Sequence, residues 1–358
     1  MIKKLTLKNF RNFSDEEFFF SGIENAIIWE NWKWKTNILE AIALFSGINF
    51  SKIDFDNLVK IWESIFYIEI ELNSGDKLAI SYEKKSKKKK YIINNKVSTN
   101  KKLKEIYEKT VIFSPIIMNI MYLSPNLRRE FLDEILLKTF NDYKIILSDY
   151  KKILISRNRV LKNIKEKKSE ISELDFWNNK FINFATKIYN YRFWVANFLK
   201  ENTKDFTKYF DNKVEKFEFK YKSKIIPPLQ EENKLFNINY IKNQITKKLE
   251  QNLEKDIILA NTNIWPHIDD FEIFLDWIEL TEFGSRWEVK SIIIWLKLLE
   301  INFIEKYTNK KPILLIDDLL SELDNNHKNI LLYNIKNYQT FITSIREDYK
   351  SIENIIIL

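Results

Sequence analysis

The chain has 358 residues, with 58 Lys and Arg against 50 Asp and Glu, which gives a net charge of +8 at pH 7. Its hydrophobic share of 45% excludes a disordered chain, and its length suits one large or two ordinary domains. The absence of cysteine excludes a disulfide scaffold and Cys-ligated metal sites, and two histidines argue against a multi-histidine metal site. The positive charge permits a polyanionic partner without requiring one.

The glycine content is far below ordinary usage. The chain has 4 glycines and 10 tryptophans, whereas a chain of this length carries roughly 25 glycines at average usage. A deficit this large has to be explained at the turns and loops where only glycine fits easily.

The first part of the chain is rich in strand patterns. Leu5–Phe10 alternates apolar and polar side chains, and Ala26–Ile28 predicts a second strand, followed by a helix over Asn37–Phe45. Phe66–Leu72 and Lys77–Tyr82 flank the sequence Asn-Ser-Gly-Asp, which predicts a hairpin.

A lysine run follows this hairpin, with six lysines among the seven residues of Lys84–Lys90. Such a run is typical of a solvated loop, and it is also suited to contact DNA phosphates. The pattern leaves both interpretations open, with Lys87, Lys88 and Lys89 as the candidate contacts.

The middle of the chain has a helical pattern and the end returns to strands. From Ser124 to about Glu254, charged and apolar residues alternate at helical spacing without glycine, which predicts long amphipathic helices. Strands are then predicted over Phe271–Leu275 and Ile278–Thr281, a helix over Val289–Ile304 and a buried strand over Pro312–Ile316. This order indicates an α/β domain built from both terminal parts around a helical insertion.

No stretch indicates membrane insertion. The start, Met1–Asn12, alternates as a strand and lacks the apolar core of a signal peptide, and no segment approaches 18 uninterrupted apolar residues. We therefore expect a cytoplasmic protein with no membrane partner.

Two carboxylates follow the predicted buried strand near the end of the chain. Four large aliphatic residues lead directly into Asp317 and Asp318, at the strand end where α/β sheets bind ligands. One such acid can hold Mg²⁺ while its neighbour orients an attacking water. A strand that ends in a solvated Asp pair is the alternative, and the following Ser321–Asp324 favours the functional interpretation.

A magnesium-nucleotide site also requires a phosphate loop, which has the pattern G-x-x-x-x-G-K-[ST] between a strand and a helix. Lys35 and Thr36 stand in that context, but Trp29 and Trp34 occupy both required glycine positions and Trp32 a third that is often glycine. The loop cradles phosphates with backbone amides, and some of its residues need a positive φ. With indoles at these positions the loop cannot cradle a nucleotide.

The same replacement recurs at other places that favour glycine. Trp277 follows Asp276 between two predicted strands, Trp287 lies in a turn before a helix, and Trp265 precedes Pro266. The hypothesis is that the gene uses UGA for glycine and that a translation reading UGA as Trp produced this sequence. The alternative is a degenerate protein that has truly lost its phosphate loop. The positions expected to be recoded are Trp29, Trp32, Trp34, Trp265, Trp277 and Trp287, with Trp62 and Trp295 added, whereas Trp177 is expected to be authentic and Trp194 stays open.

With glycine at these positions the chain closely resembles the RecF family of bacterial ATP-binding DNA-repair proteins, which are related to the SMC and ABC ATPases. The resemblance runs nearly end to end. It is carried by Leu5–Phe13, Trp29–Ile42, Phe113–Pro115, Ser124–Asp133, Arg157-Asn158, Ser285–Glu288 as the signature motif, and Asp317–Asp324 as the Walker B and D-loop region. Ile116-Ile117 departs from the family's usual acidic residues, and Thr343-Ser344 stands at the switch position.

The resemblance implies an α/β fold with an ABC/SMC-type ATPase head built from residues 1–123 and 257–358, and a helical lobe over 124–256. It implies ATP and Mg²⁺ as cofactors. The residues implied near the nucleotide are Arg11, Trp29, Glu30, Asn31, Trp32, Lys33, Trp34, Lys35, Thr36, Asn37, Ser285 and Trp287.

The roles implied by the resemblance follow phosphoryl-transfer chemistry. Lys35 neutralises the phosphates, Thr36 and Asp317 hold Mg²⁺, and Asp318 polarises the attacking water. Ser285 reaches the nucleotide of the other subunit, so that ATP joins a homodimer and slow hydrolysis releases it.

The resemblance also implies DNA with gaps or junctions as a partner, and recombination mediator proteins that help to load the recombinase. Arg128 and Arg129 are candidate DNA contacts that can equally form structural ion pairs. The rival classes are a DNA-binding clamp that binds no ATP, an SMC-like structural head, for which the helical middle is too short, and a transporter ATPase, which the basic charge disfavours.

Overall fold

The computed structural model describes residues 1–28, 32–47, 54–107, 109–115, 125–203, 216–225, 237–263, 266, 268–344 and 354–357. The chain divides into two compact units, one formed by Met1–Ile117 with Ile304–Leu358 and the other by Met118–Phe303. The strands are β1 (Ile2–Phe10), β2 (Phe13–Phe19), β3 (Glu24–Ile28), β4 (Ile65–Leu72), β5 (Lys77–Glu83), β6 (Lys88–Ile93), β7 (Lys96–Ser98), β8 (Thr110–Phe113), β9 (Phe217–Lys222), β10 (Asp270–Leu275), β11 (Ile278–Glu279), β12 (Ile313–Asp317), β13 (Thr340–Ser344) and β14 (Asn354–Ile357). The helices are α1 (Trp32–Phe45), α2 (Asn100–Ile106), α3 (Pro125–Thr139), α4 (Tyr143–Lys165), α5 (Leu174–Glu201), α6 (Ile238–Leu259), α7 (Leu280–Phe283), α8 (Arg286–Thr308) and α9 (Asn325–Ile335).

The first unit contains two sheets. One is antiparallel in the order β2-β1-β4-β5-β6-β7, and the other runs β14-β3-β13-β12-β8 with every neighbouring pair parallel. The aliphatic run Ile313–Ile316 is fully buried in the centre of the parallel sheet, as its unbroken apolar pattern predicts. The predicted hairpin is also present, because β4 and β5 pair across a turn in which Gly75 has a φ of +87°.

Helix α1 lies in the core of this unit. Its apolar side, with Ile38, Leu39 and Ile42, belongs to one buried cluster that includes residues of both sheets, such as Leu5 of β1 and Leu315 of β12. Since α1 directly follows β3 in the chain, the packing of this helix fixes its first turn against the carboxyl ends of the parallel strands.

The second unit combines long helices with a small sheet. Helices α4, α5 and α6 pack against one another, and β9, β10 and β11 form an antiparallel sheet in the order β11-β10-β9. The purely helical pattern expected for the middle of the chain is therefore wrong at Phe217–Lys222, which pairs with β10 residue by residue. The strand predicted over Ile278–Thr281 ends at Glu279, because α7 begins at Leu280.

Among the described residues, Trp62 and Trp277 lie in left-handed backbone conformations. Trp62 has a φ of +71° and a side chain that is 99% exposed, and Trp277 has a φ of +74° next to Asp276 at +45°. Positive φ at both central residues is the geometry of a type I′ hairpin turn, which favours Asp-Gly and costs an L side chain about 1–2 kcal/mol. Trp177 has a different environment, since it packs against the buried residues Val160, Leu161 and Leu174.

No helix within the described ranges is both long enough and apolar enough to cross a membrane.

Candidate functional site

Three hydroxyl and carboxyl groups meet where α1 begins and the parallel strands end. The hydroxyl of Thr36, in the first turns of α1, donates a hydrogen bond of 2.9 Å to Oδ1 of Asp317, the last residue of β12. Thr343 of β13 donates a second hydrogen bond of 2.9 Å to the same oxygen. Because β12 and β13 are parallel neighbours in a register that places Thr343 beside Asp317, this contact follows from the sheet itself.

The Asp317 carboxyl lies in an unfavourable place for an uncompensated negative charge. Burial raises its pKa, and the nearby Asp318 raises it further, while the hydrogen bonds from Thr343 and Thr36 and the Lys35 ammonium partly oppose this. A buried carboxylate whose pKa stays above its ordinary value gains from a bound cation. Carboxylate and hydroxyl oxygens are hard ligands of the kind that Mg²⁺ prefers, and Mg²⁺ is usually held by one or two carboxylates together with substrate phosphates.

Asp318 has an unusual backbone and an unsatisfied side-chain atom. Its φ is +49°, and its N–H donates a hydrogen bond of 3.0 Å to the hydroxyl of Thr343. Its Oδ1 atom is buried and accepts no hydrogen bond from any described residue. A strained backbone and an orphaned buried oxygen both point to a group that acts on a water or a ligand. This observation fits the role predicted for Asp318 beside a bound nucleotide.

Lys35 is buried with 4% of its surface exposed, and its charge lowers the pKa of Asp317. The neighbouring Trp34 packs edge-on against the ring of Phe13, with ring centroids 5.5 Å apart. Trp32 and Lys33 begin α1, and Asn37 continues it. The predicted loop residues Trp29, Glu30 and Asn31 lie outside the described residues, as do Trp265 and Ile116-Ile117.

Arg11 is held by the helix that carries Thr36. Its guanidinium forms two hydrogen bonds with Glu40, from Nε at 2.7 Å and from Nη2 at 3.0 Å, and Nη1 donates to the carbonyl of Asn57 at 3.1 Å. Glu40 is 1% exposed and stands four residues after Thr36, so both side chains lie on the same face of α1. The φ of Arg11 is +54°, which marks a constrained backbone.

The signature segment forms the N-terminal cap of α8 in the second unit. The Ser285 N–H donates to Oε2 of Glu288 at 2.7 Å, and the Glu288 N–H donates back to the Ser285 hydroxyl at 3.3 Å. This is a capping box, in which each residue satisfies an N–H group of the other at the start of α8. Trp287 lies in the first turn of the same helix. A Cβ on Gly284 would come within 2.7 Å of the Leu280 carbonyl, so only glycine fits there.

The basic candidates have different environments. Arg128 forms a bidentate ion pair with Asp270, and Arg129 donates to the Asp269 carbonyl at 2.6 Å, so both make the structural contacts that the sequence left open. The first part of the lysine run, residues 84–87, forms a turn, whereas Lys88 and Lys89 belong to β6. Contact of any of these residues with DNA stays a prediction.

Sequence reasoning did not assign a site role to Thr343 or Glu40. Thr343 stands at the switch position of the resemblance, but its contact with Asp317, 26 residues earlier in the chain, depends on the register of β12 and β13. Glu40 carries a signal that was available, because an acid four residues after Thr36 lies on the same helix face.

The comparisons with known proteins agree with this geometry. No protein-family profile matches the chain. The DNA replication and repair protein RecF of Thermoanaerobacter pseudethanolicus is 32% identical over 356 residues, covering 97% of this chain and 95% of that protein. A solved structure of the recombination mediator protein RecF with ATPrS in the RecFOR pathway matches with a TM-score of 0.87 and 28% identity, covering 100% of this chain and 96% of that one. A second solved structure, of RecF with ATP, matches with a TM-score of 0.85 and 28% identity over 99% of this chain and 95% of that one.

The fold and the site therefore define a class, the mixed α/β ATPase head fold, in which α1 packs on a parallel sheet. Within that class, the full-length likeness is specific. The chain belongs to the RecF family of DNA replication and repair proteins.

Proposed function

We propose that this chain is an ATP-dependent DNA-binding protein of replication and recombinational repair, which dimerises on gapped or junction DNA when it holds ATP and Mg²⁺. The observation that carries the proposal is the hydrogen bond of 2.9 Å between Thr36 and Asp317. It joins the helix that follows the phosphate loop to the strand that ends in the acidic pair, which is the arrangement that a magnesium-nucleotide site requires.

Each residue of the site has a role in this function. Thr36 and Asp317 would hold Mg²⁺ through a hydroxyl and a carboxylate oxygen, and Thr343 orients that carboxylate through its own hydrogen bond. The buried Lys35 places a positive charge where phosphates would lie, and the unsatisfied oxygen of Asp318 would polarise the attacking water. When bound, magnesium ATP supplies the transferable phosphoryl group and neutralises the charge that develops on it.

The signature segment would complete the site of a second copy. Ser285 caps α8, and helix N-termini bind anions through their free N–H groups and their dipole. In the single chain the Glu288 carboxylate occupies the Ser285 N–H, so an incoming phosphate has to displace it. Because the phosphate of a bound nucleotide has to replace the Glu288 carboxylate at the Ser285 N–H, we expect the dimer to form only with nucleotide and ATP hydrolysis to be slow.

The biological role follows from the family. The similar solved proteins are recombination mediator proteins of the RecFOR pathway, and we extend that role to this chain, with recombination mediator proteins as partners in the cytoplasm. Slow ATP hydrolysis would then time the release of the dimer from DNA.

A second function is favoured by one observation, the packing of Trp34 against Phe13 in the first turn of α1. If the loop tryptophans are present in the native protein, the indole is accommodated and the chain is a DNA-binding clamp that binds no ATP.

The test is to measure ATP binding and dimerisation, with Mg²⁺ present, of the purified protein that carries glycine at positions 29, 32 and 34 (Trp29→Gly/Trp32→Gly/Trp34→Gly), alone and with each of two threonine substitutions. Thr36→Ala removes the hydroxyl that contacts Asp317. Thr246→Ala removes an exposed hydroxyl that bonds only within α6, to the Lys242 carbonyl, and serves as the matched control. We expect magnesium-dependent ATP binding and an ATP-induced dimer in this glycine form and in the control, and at least a tenfold weaker affinity with Thr36→Ala. Absence of ATP binding in the glycine form would overturn the proposal in favour of the clamp.

A further inference from the structure

The antiparallel sheet of the first unit has one face on the buried cluster and one face turned away from it. Phe66 and Tyr82 point to the cluster, where both are almost fully buried. On the opposite face Ser81 stands beside Lys90, and Glu83 stands beside Lys88, because those residues are paired in the register of β5 and β6. Alternation along the strand therefore divides the lysine run between two different environments.

Charges on this opposite face are balanced at one end of the sheet and unbalanced at the other. Near β1 and β2, Lys4 pairs with Glu17 at 2.6 Å and Lys8 pairs with Asp15 at 3.0 Å. Near β5 and β6, neither Lys88 nor Lys90 forms an ion pair with any residue that the structure describes. The first end of the face is thus self-compensated, and the second end has charge available for a partner.

A groove of about 280 Å³ lies at this second end. We call it the lysine groove. It is lined by Ile65, Ser81, Glu83, Ser86, Lys88 and Lys90. Its single carboxylate, Glu83, accepts a hydrogen bond of 2.5 Å from the Ser86 hydroxyl. With six lysines against that one glutamate over residues 81–90, the hairpin carries a strong positive field.

We propose that the lysine groove binds the sugar-phosphate backbone of DNA, with Lys88 and Lys90 as the contacting cations. This inference rests on the proposed DNA-binding function and places it on one surface. Alternate residues of one strand, such as Lys88 and Lys90, lie about 6.8 Å apart along it, and the hydroxyl of Ser81 adds a neutral donor of the kind that contacts phosphate oxygens. The contacts are to the backbone, so the groove binds without regard to base sequence.

Lys89 lies on the other face of the same strand and has a different role. Its ammonium lies 3.2 Å from the centre of the Phe55 ring, and burial lowers the pKa of this lysine. Lys89 is opposite the buried Tyr82 in the strand register. It therefore supports the packing of the hairpin and contributes no direct contact to DNA.

The experiment compares DNA affinity across a salt series, by fluorescence anisotropy of a labelled gapped duplex with the full chain. The double variant Lys88→Ala/Lys90→Ala removes both groove cations. The double variant Lys4→Ala/Lys8→Ala removes the same charge from the compensated end of the same sheet face and is the matched control. The single variant Lys89→Ala tests the opposite face of β6.

Loss of two phosphate contacts should reduce the slope of log K against log salt by about 1.8 and weaken binding roughly ten- to fiftyfold at 0.1 M salt. We expect this for the groove variant only. The proposal is overturned if the groove variant binds DNA as the Lys4/Lys8 control does, and in that case DNA binding by the original chain would still support the proposed function. Failure of the original chain to bind DNA would reject the proposed function together with this inference. Loss of binding to phosphatidylserine vesicles with unchanged DNA affinity would reassign the groove to a membrane surface.

Discussion

The hydroxyl of Thr36 donates a hydrogen bond to the carboxylate of Asp317 across 281 positions of sequence. The contact exists because α1 is packed by its apolar side into the core, which sets its first turns beside the carboxyl end of β12. Both side chains are polar groups at the edge of an otherwise apolar region. Such a pair is difficult to explain by stability alone, since burial opposes the charge of Asp317.

The first prediction concerns this carboxylate. Asp317→Asn should leave folding intact or raise the melting temperature slightly, because it removes a buried charge whose pKa burial has raised. In the protein with glycine at positions 29, 32 and 34, the same change should abolish stabilisation by magnesium ATP, which for a ligand at a hundredfold excess over its dissociation constant is about 2.7 kcal/mol.

Thermal unfolding with and without magnesium ATP measures both effects. Asp15→Asn, at an exposed pair with Lys8, is the control and should keep the full ligand response. An Asp317→Asn protein that is still stabilised by magnesium ATP would contradict the assignment of Asp317 as a magnesium ligand.

The second prediction concerns the Arg11–Glu40 pair. Glu40→Gln keeps the size of the side chain but leaves the guanidinium of Arg11 with a neutral partner. Because Glu40 is 1% exposed and makes two charge-assisted hydrogen bonds, we expect a loss of about 2 kcal/mol in the free energy of unfolding.

Urea unfolding measures this loss, and Asp15→Asn again serves for comparison, with an expected change below about 0.5 kcal/mol. If Arg11 also contacts the nucleotide, Glu40→Gln should weaken ATP binding as well as stability. An equal loss in the free energy of unfolding for Glu40→Gln and Asp15→Asn would show that the buried Arg11–Glu40 pair stabilises the fold no more than an exposed ion pair does.

The parts of the fold that the sequence predicts are those whose signal lies within a short stretch of neighbouring residues. The aliphatic run that ends at Asp317 predicts a buried strand, and the Asn-Ser-Gly-Asp turn predicts the hairpin of β4 and β5, because each signal is complete within ten residues. The family resemblance predicts in addition that Thr36 and Asp317 hold the same Mg²⁺, which stays a prediction.

Other contacts depend on register and on long-range packing, and no local pattern contains them. The Arg128–Asp270 pair joins residues 142 positions apart, and the hydroxyl of Thr343 reaches Asp317 only because of the pairing of β12 with β13. Strand β9 alternates charged and aromatic residues, which resembles the polar helices around it until β10 is available as a partner.

The third prediction concerns the tryptophans with positive φ. Trp62→Gly and Trp277→Gly should stabilise the chain by about 1 kcal/mol each, because glycine removes the strain of the left-handed backbone and little packing is lost at side chains that are 99% and 72% exposed. Trp177→Gly should instead destabilise it by about 3–5 kcal/mol, since its indole packs on a buried cluster.

Unfolding measurements on the three variants test this difference, and peptide masses of the native protein with the codons at the same positions test its origin. UGA codons and glycine masses at Trp62 and Trp277, with UGG at Trp177, would support the recoding hypothesis. The same reading of UGA as glycine at positions 29, 32 and 34 would restore a working phosphate loop. Indole masses at Trp62 and Trp277 would reject the recoding hypothesis.

The fourth prediction concerns pH. Burial raises the pKa of Asp269 to about 6, although Arg192 and hydrogen bonds from Tyr221 and the Lys224 N–H partly oppose the shift. The folded chain therefore binds a proton between about pH 4 and pH 6 that the unfolded chain releases. The contribution of this group to stability is complete below about pH 4 and is lost as the pH rises through 6.

Asp269→Asn should remove that dependence. We expect the variant to be more stable than the original chain by about 3 kcal/mol at pH 7.5 and by only about 1 kcal/mol at pH 4.5, because the pKa is raised from 3.8 to about 6 and each pKa unit corresponds to 1.36 kcal/mol. Denaturant unfolding at several pH values measures the difference directly, and Asp149→Asn, at an exposed pair with Lys152, is the control. A constant difference between Asp269→Asn and the original chain across this range would show that Asp269 is ionised in the fold at all of these pH values.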